Sequence, residues 1–156
     1  MIAINITEKG MFKSLTAIAA LFFSSMTFAN CEFTIEGNDA MQFNKKSMEV
    51  PKSCETVKVT LKHTGKIPKK SMGHNWVLTT KGDMQAVASA GMSAGLDNNY
   101  LPAGDERIIA ATDIIGGGEQ TTVEFSTKDM SADGEYMFFC SFPGHSALMK
   151  GTFKLI

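Results

Sequence analysis

Apolar and polar side chains alternate in several short segments of this 156-residue chain. Val57, Val59 and Leu61 are interleaved with Lys58, Thr60 and Lys62. That period of two sends one row of side chains into a core and the other into water, so the segment is expected to be a half-buried β-strand. Phe33 and Ile35, Val123 and Phe125, and Phe153 and Leu155 alternate with polar neighbours in the same way. Residues 136–140 (Tyr-Met-Phe-Phe-Cys) and Trp76-Val77-Leu78 are continuous apolar runs, the pattern of strands covered on both faces. Many short strands divided by turn signals predict an all-β sandwich or barrel.

One stretch breaks the alternation. Met84, Val87, Ala88 and Gly91 are spaced three and four apart, which predicts a helix with Asp83 as its N-terminal cap and Gly95 as its stop. It reads as a helical insertion packed outside the sandwich. Gly116-Gly117-Gly118 reads as a turn ahead of the Val123 strand. It is not a phosphate loop, since no Lys-Ser or Lys-Thr and no helical pattern follow it.

The first 29 residues do not fit the domain pattern. Lys13 precedes an apolar run from Leu15 to Phe23, then Ser24-Ser25-Met26-Thr27-Phe28-Ala29. A basic start, a short apolar core and a small-residue exit predict a secretory signal peptide over 1–29, cleaved after Ala29. The run is shorter than the roughly 20 residues a bilayer span needs. Glu8 sits oddly in such a leader, which leaves Met1 and Met11 both open as the translation start. A lipid anchor on Cys31 is disfavoured, because Asn30 is bulkier than the residue usual before a lipidated Cys. Residues 30–156 then form one domain, large enough for a substantial core. They carry 13 basic and 15 acidic residues, a net of about −2, so no basic excess points to nucleic acid. Lys45-Lys46 and Lys69-Lys70 read as solvated loop charges.

Chemistry concentrates near the C-terminus. Cys140, His145 and Met149 lie within ten residues on a loop broken by Pro143-Gly144 and flanked by two strand patterns. A thiol, an imidazole and a thioether suit copper, and a Cys and two His with a weak Met ligand make a blue-copper electron-transfer site. The second His is either His63 or His74; a loop-to-strand junction favours His74. Three Cys remain after export. Cys31 and Cys54 can pair in an oxidising compartment, an assignment that follows from the role given to Cys140 rather than from spacing.

Met72-Gly-His-Asn-Trp-Val-Leu78, residues 136–151 (Tyr-Met-Phe-Phe-Cys-Ser-Phe-Pro-Gly-His-Ser-Ala-Leu-Met-Lys-Gly) and Gly37-Asn-Asp-Ala-Met-Gln-Phe-Asn44 resemble the azurins, blue-copper proteins of the cupredoxin family. The resemblance covers essentially all of 30–156. It implies a Greek-key sandwich with an external helical flap and a Cys31–Cys54 bridge. It implies one copper ion held by His74, Cys140 and His145, with Met149 and the Gly73 carbonyl as weak axial ligands. Asn75 would tie the ligand loops together, and the N–H groups of Asn75 and Phe142 would support the Cys140 sulfur. His63 would lie beside the site as a titratable non-ligand. The family often has Pro where Thr64 stands here, which puts any family-specific backbone switch there in question. Met41, Met72, Met92, Phe142, Pro143 and Ala147 would form an apolar docking patch around an exposed edge of His145. The implied partners are redox proteins such as c-type cytochromes or periplasmic reductases, in the periplasm of a Gram-negative bacterium.

Two other classes use similar residues. A copper-delivery protein would exchange metal rather than electrons, and a buried, loop-locked Cys140 argues against easy release. Multicopper enzymes need many more His than the three present. A Cys140/His145 hydrolase would need an exposed thiolate and an oxyanion-hole motif, and Met is a poor ligand for zinc. The sequence therefore reads as a soluble exported electron carrier, not an enzyme.

Overall fold

The computed structural model describes residues 30–156, and the leader expected over 1–29 lies outside the described residues. One sheet contains β1 (Glu32–Asn38), β2 (Gln42–Phe43), β4 (Thr56–His63) and β7 (Gln120–Ser126), in the order β2-β1-β4-β7. The other contains β3 (Ser47–Val50), β5 (Val77–Thr80), β6 (Ala110–Ala111), β8 (Tyr136–Phe139) and β9 (Lys150–Leu155), in the order β3-β9-β8-β5-β6. β1 pairs parallel with β4 and β3 parallel with β9, while the other pairs are antiparallel. The two mixed sheets form an open sandwich, not a closed barrel.

The alternating segments behave as the period of two requires. Val57, Val59 and Leu61 on β4 are fully buried, and Ile35, Phe125, Phe153 and Leu155 join them. The core centres on Trp76, whose ring lies 5.9 Å from Phe125 and 6.0 Å from Phe138. Burying each such large side chain contributes about 1.5–3 kcal/mol. Cys31, just before β1, is disulfide-bonded to Cys54, just before β4.

The helical insertion is α2 (Met84–Ala94), and Met84, Val87, Ala88 and Gly91 are its buried positions. They pack with Val77 and Phe139 in a cluster outside the main core. Gly95 ends the helix with φ +74°. Asp83 departs from its expected role, because its side chain makes no cap bond. Its backbone is already helical, and its carboxylate accepts a hydrogen bond from Thr80 Oγ1 at 2.7 Å. A short helix, α1 (Lys69–Met72), precedes the Gly73-His74 segment. No helix among the described residues is long and apolar enough to cross a membrane.

This topology gathers three loops. β1 and β4 run in parallel and end at Asn38 and His63, while β8 delivers Cys140 to the same end of the sandwich. The segments 38–41, 64–76 and 140–149 meet there.

Candidate metal centre

His74 is fixed from both sides. Its backbone N–H and carbonyl exchange hydrogen bonds with Ile115, at 3.0 and 2.9 Å. Its ring Nε2 lies 2.9 Å from the Asn38 carbonyl. A carbonyl only accepts, so the ring proton sits on Nε2 and the Nδ1 lone pair is free. That Nδ1 is buried with no hydrogen-bond partner. A buried acceptor without a partner is costly, and a bound metal ion would satisfy it. Gly37 makes room for the ring, since a Cβ there would lie 2.7 Å from His74 Cδ2 and 3.3 Å from Met149 Cε.

Cys140 follows β8, and its N–H bonds the Met149 carbonyl at 3.0 Å. Its Sγ lies 3.6 Å from His145 Nδ1 and 3.9 Å from the Gly73 carbonyl oxygen. Gly73 is packed too tightly for any side chain, because a Cβ would fall 2.5 Å from the Lys69 carbonyl oxygen and 2.6 Å from Ile114 Cγ2. Burial pushes the Cys140 thiol up to about 12, and hydrogen bonds from the Asn75 and Phe142 backbone N–H groups oppose that rise. Metal binding here must release the thiol proton.

The ligand loop curls by simple hydrogen-bond economy. Gly144, at φ +82°, turns the chain, and His145 N–H bonds the Phe142 carbonyl at 2.9 Å. The His145 carbonyl then accepts the N–H groups of Leu148 and Met149, at 3.0 and 2.7 Å, which returns Met149 to the site. Burial pushes the His145 imidazole down to about 4, with the His74 and His63 charges adding to the effect. Burial also lowers His74, against the raising effect of its bond to Asn38. Both shifts favour the neutral imidazole, the form that can ligate a metal.

One ligand atom from each of His74, Cys140 and His145 lies within 4.8 Å of the others. Two imidazoles, a thiolate-forming Cys and a nearby buried thioether match copper better than the hard cations. His63 stands outside this cluster. Its ring stacks on His74 with centroids 4.2 Å apart, its Nε2 donates to the Met72 carbonyl at 2.8 Å, and its Nδ1 accepts the Gly65 N–H at 3.1 Å.

Asn75 hydrogen-bonds across to the segment after Cys140 and to Asn99. Its Oδ1 accepts the Ser141 N–H at 2.8 Å, and its Nδ2 donates to Ser141 Oγ at 2.8 Å and to the Asn99 carbonyl at 3.1 Å. Of the expected patch, Met92, Phe142, Pro143 and Ala147 line one groove between α2 and the ligand loop. Met41 and Met72 are half-buried and do not line it. Leu148, on the ligand loop itself, is 55% exposed and was not part of the expected patch. His145 is only 3% exposed, so the structure buries the ring whose edge was expected to be exposed. Residue patterns alone also missed Gly37, Asn38, Ser141 and Asn99. Gly37 and Asn38 stand inside one of the motifs that carry the resemblance; Ser141 and Asn99 have no pattern to betray them.

An open β-sandwich with Cys, His and Met on the loop between its last two strands, and a second His from a neighbouring loop, is a cupredoxin. Residues 29–156 match the model for copper binding proteins of the plastocyanin/azurin family, and the chain belongs to that family. It is 54% identical to the azurin of Bordetella pertussis over 94% of this chain and 99% of that protein. It is 58% identical to the azurin of Pseudomonas fluorescens biotype C, over 81% of this chain and 99% of that one. Among solved structures it is similar to an azurin (Az-iso2) from the obligate methylotroph Methylomonas sp. strain J, with a TM-score of 0.79 and 48% identity over 82% of this chain and 99% of that chain. In this family the His74–Cys140–His145 cluster is suited to a single copper ion, and the chain is a type 1 copper electron carrier.

Proposed function

We propose that the chain passes single electrons between protein partners, with His74, Cys140 and His145 as the strong ligands and Met149 sulfur and the Gly73 carbonyl as weak axial ones. The carrying observation is the buried, unpartnered His74 Nδ1 in a cluster with Cys140 and His145. The ion, when bound, supplies the one-electron Cu(I)/Cu(II) couple. The protein contributes position. Asn38 orients the His74 ring, Asn75 and Phe142 direct N–H groups at the Cys140 sulfur, and the His145 turn holds Met149 close. Such supports limit rearrangement when charge changes.

Electrons would cross through His145, whose buried ring lies just under the surface loop. The neighbouring groove, lined by Phe142, Pro143, Ala147 and Met92 with Lys150 as its one charged residue, offers a contact of the small kind that transient redox complexes use. The partners we infer are c-type cytochromes or periplasmic reductases. Residues 1–29 would be removed on export to the periplasm of a Gram-negative cell. The depth of Cys140 speaks against a delivery protein that hands its metal on.

The test is addition of Cu(II) to the purified metal-free protein. An intense visible absorption that ascorbate bleaches is expected, and Cys140→Ser should abolish it. A folded protein that binds Cu(II) without that band would overturn the reading.

A further inference from the structure

Asn99 and Tyr100, outside the ligand loops, both adopt left-handed backbone, at φ +56° and +49°. Asn tolerates that region better than most residues; Tyr does not. Two such residues in a row persist only where their surroundings fix them. Here the Asn99 side chain is held at both ends. Its Nδ2 donates to Asp113 Oδ1 and its Oδ1 accepts the Ile114 N–H, each at 2.9 Å. The Asn99 and Tyr100 N–H groups bond the Leu96 and Gly95 carbonyls, at 2.9 and 2.8 Å.

The elbow turns the Asn99 carbonyl toward the site. It accepts Asn75 Nδ2 at 3.1 Å and Ser141 Oγ at 3.0 Å. The hydrogens then have one consistent arrangement. One Asn75 amide hydrogen goes to Ser141 Oγ and the other to Asn99, the Ser141 hydroxyl donates to Asn99, and Asn75 Oδ1 takes the Ser141 N–H. This closed ring of Asn75, Ser141 and Asn99 flanks both backbone groups that support the Cys140 sulfur. One belongs to Asn75 itself, and the other to Phe142, next to Ser141.

We propose that Asn99 is a positioning residue of the copper centre. Its carbonyl locks Asn75 and Ser141 and so aims the two N–H groups at the Cys140 sulfur. The inference rests on the one-copper reading above. N–H donors draw electron density from the sulfur and weaken its donation to Cu(II). Loosening them should therefore stabilise the oxidised ion and lower the reduction potential.

Asn99→Asp sets a carboxylate against Asp113, whereas Asn99→Asp combined with Asp113→Asn restores the bond with its polarity reversed. Asn99→Gly keeps the left-handed backbone and removes only the side-chain clamps. In the copper-loaded protein, Asn99→Asp should shift the thiolate-to-copper band and lower the potential, and the double variant should return both toward wild type. Ser141→Ala should give the same shift, with little added by Asn99→Asp, because the two act through one network. In the metal-free protein, hydrogen exchange at the Ser141 amide should speed up in Asn99→Asp and slow again in the double variant. The proposal fails if Asn99→Asp and Asn99→Gly lower the melting temperature while band, potential and Ser141 exchange stay at wild-type values. A wild-type protein that never turns blue would instead sink the copper reading, and this inference with it.

Discussion

At the residue scale, much of the site depends on bonds to backbone groups. Asp39 shows it beside the ligand cluster. Its Oδ2 accepts the Lys66 N–H at 2.8 Å and its Oδ1 the Ile67 N–H at 3.2 Å, which pins the loop leaving β4. Those bonds, Lys66 first, hold the carboxyl below the usual carboxylate range. A carboxyl that is more acidic when folded stabilises the fold above its unfolded value of about 3.9. That contribution shrinks as pH falls through the lower folded value, where the native carboxylate also takes up its proton. Urea denaturation of wild type and Asp39→Asn should show wild type more stable at pH 6, with the gap closing below about pH 4. A gap that stays constant down to pH 3 would mean that the carboxylate charge plays no part. The candidate ligand side chains stand out in the sequence because thiol, imidazole and thioether are rare and chemically distinct. The acceptors that orient them do not. Every residue carries a carbonyl, so only the fold could single out those of Asn38, Met72 and Asn99.

At the element scale, α2 was readable because its buried positions follow the helical period, and the structure buries the four expected residues. Its packing makes a sharper claim at Gly91. Gly→Ala in a helix interior ordinarily stabilises by about 1 kcal/mol. A Cβ at Gly91, however, would sit 2.0 Å from the Tyr100 carbonyl oxygen. Gly91→Ala should therefore destabilise, through displacement of the Asn99–Tyr100 elbow, and lower the denaturation midpoint. A raised midpoint would show that the elbow yields freely. Other elements left weaker traces. α1 has four residues and no buried position, and β2 and β6 have two residues each, too few for any period to register. The alternation on β1 and β4 fixes which faces are buried, but nothing in it chooses the parallel pairing from Glu32↔Lys58 to Gly37↔His63. That choice comes from the core both strands share.

At the scale of the whole molecule, the sandwich separates a fastening end from a working end. Cys31 and Cys54 stand at the starts of β1 and β4, whereas Asn38 and His63 finish those strands beside the ligand cluster. Seven or eight extended residues set the two ends roughly 25 Å apart. The bridge joins residues 23 apart in sequence, and closing a loop of that size stabilises by about 3 kcal/mol on the chain-entropy model. Most of that stabilisation comes from restricting the unfolded chain, so losing the bridge need not move any native atom near the copper. The strands between the ends are held by ladder bonds and by Val57, Val59 and Leu61 in the core. Replacing both Cys31 and Cys54 by Ala should therefore cost about 3 kcal/mol in denaturant unfolding. The thiolate-to-copper band and the reduction potential should stay at wild-type values. An unchanged unfolding free energy would mean that the bridge adds no net stability. A shifted potential would mean that β1 and β4 carry strain from the fastening end to His74, and that the copper end is tuned from across the molecule.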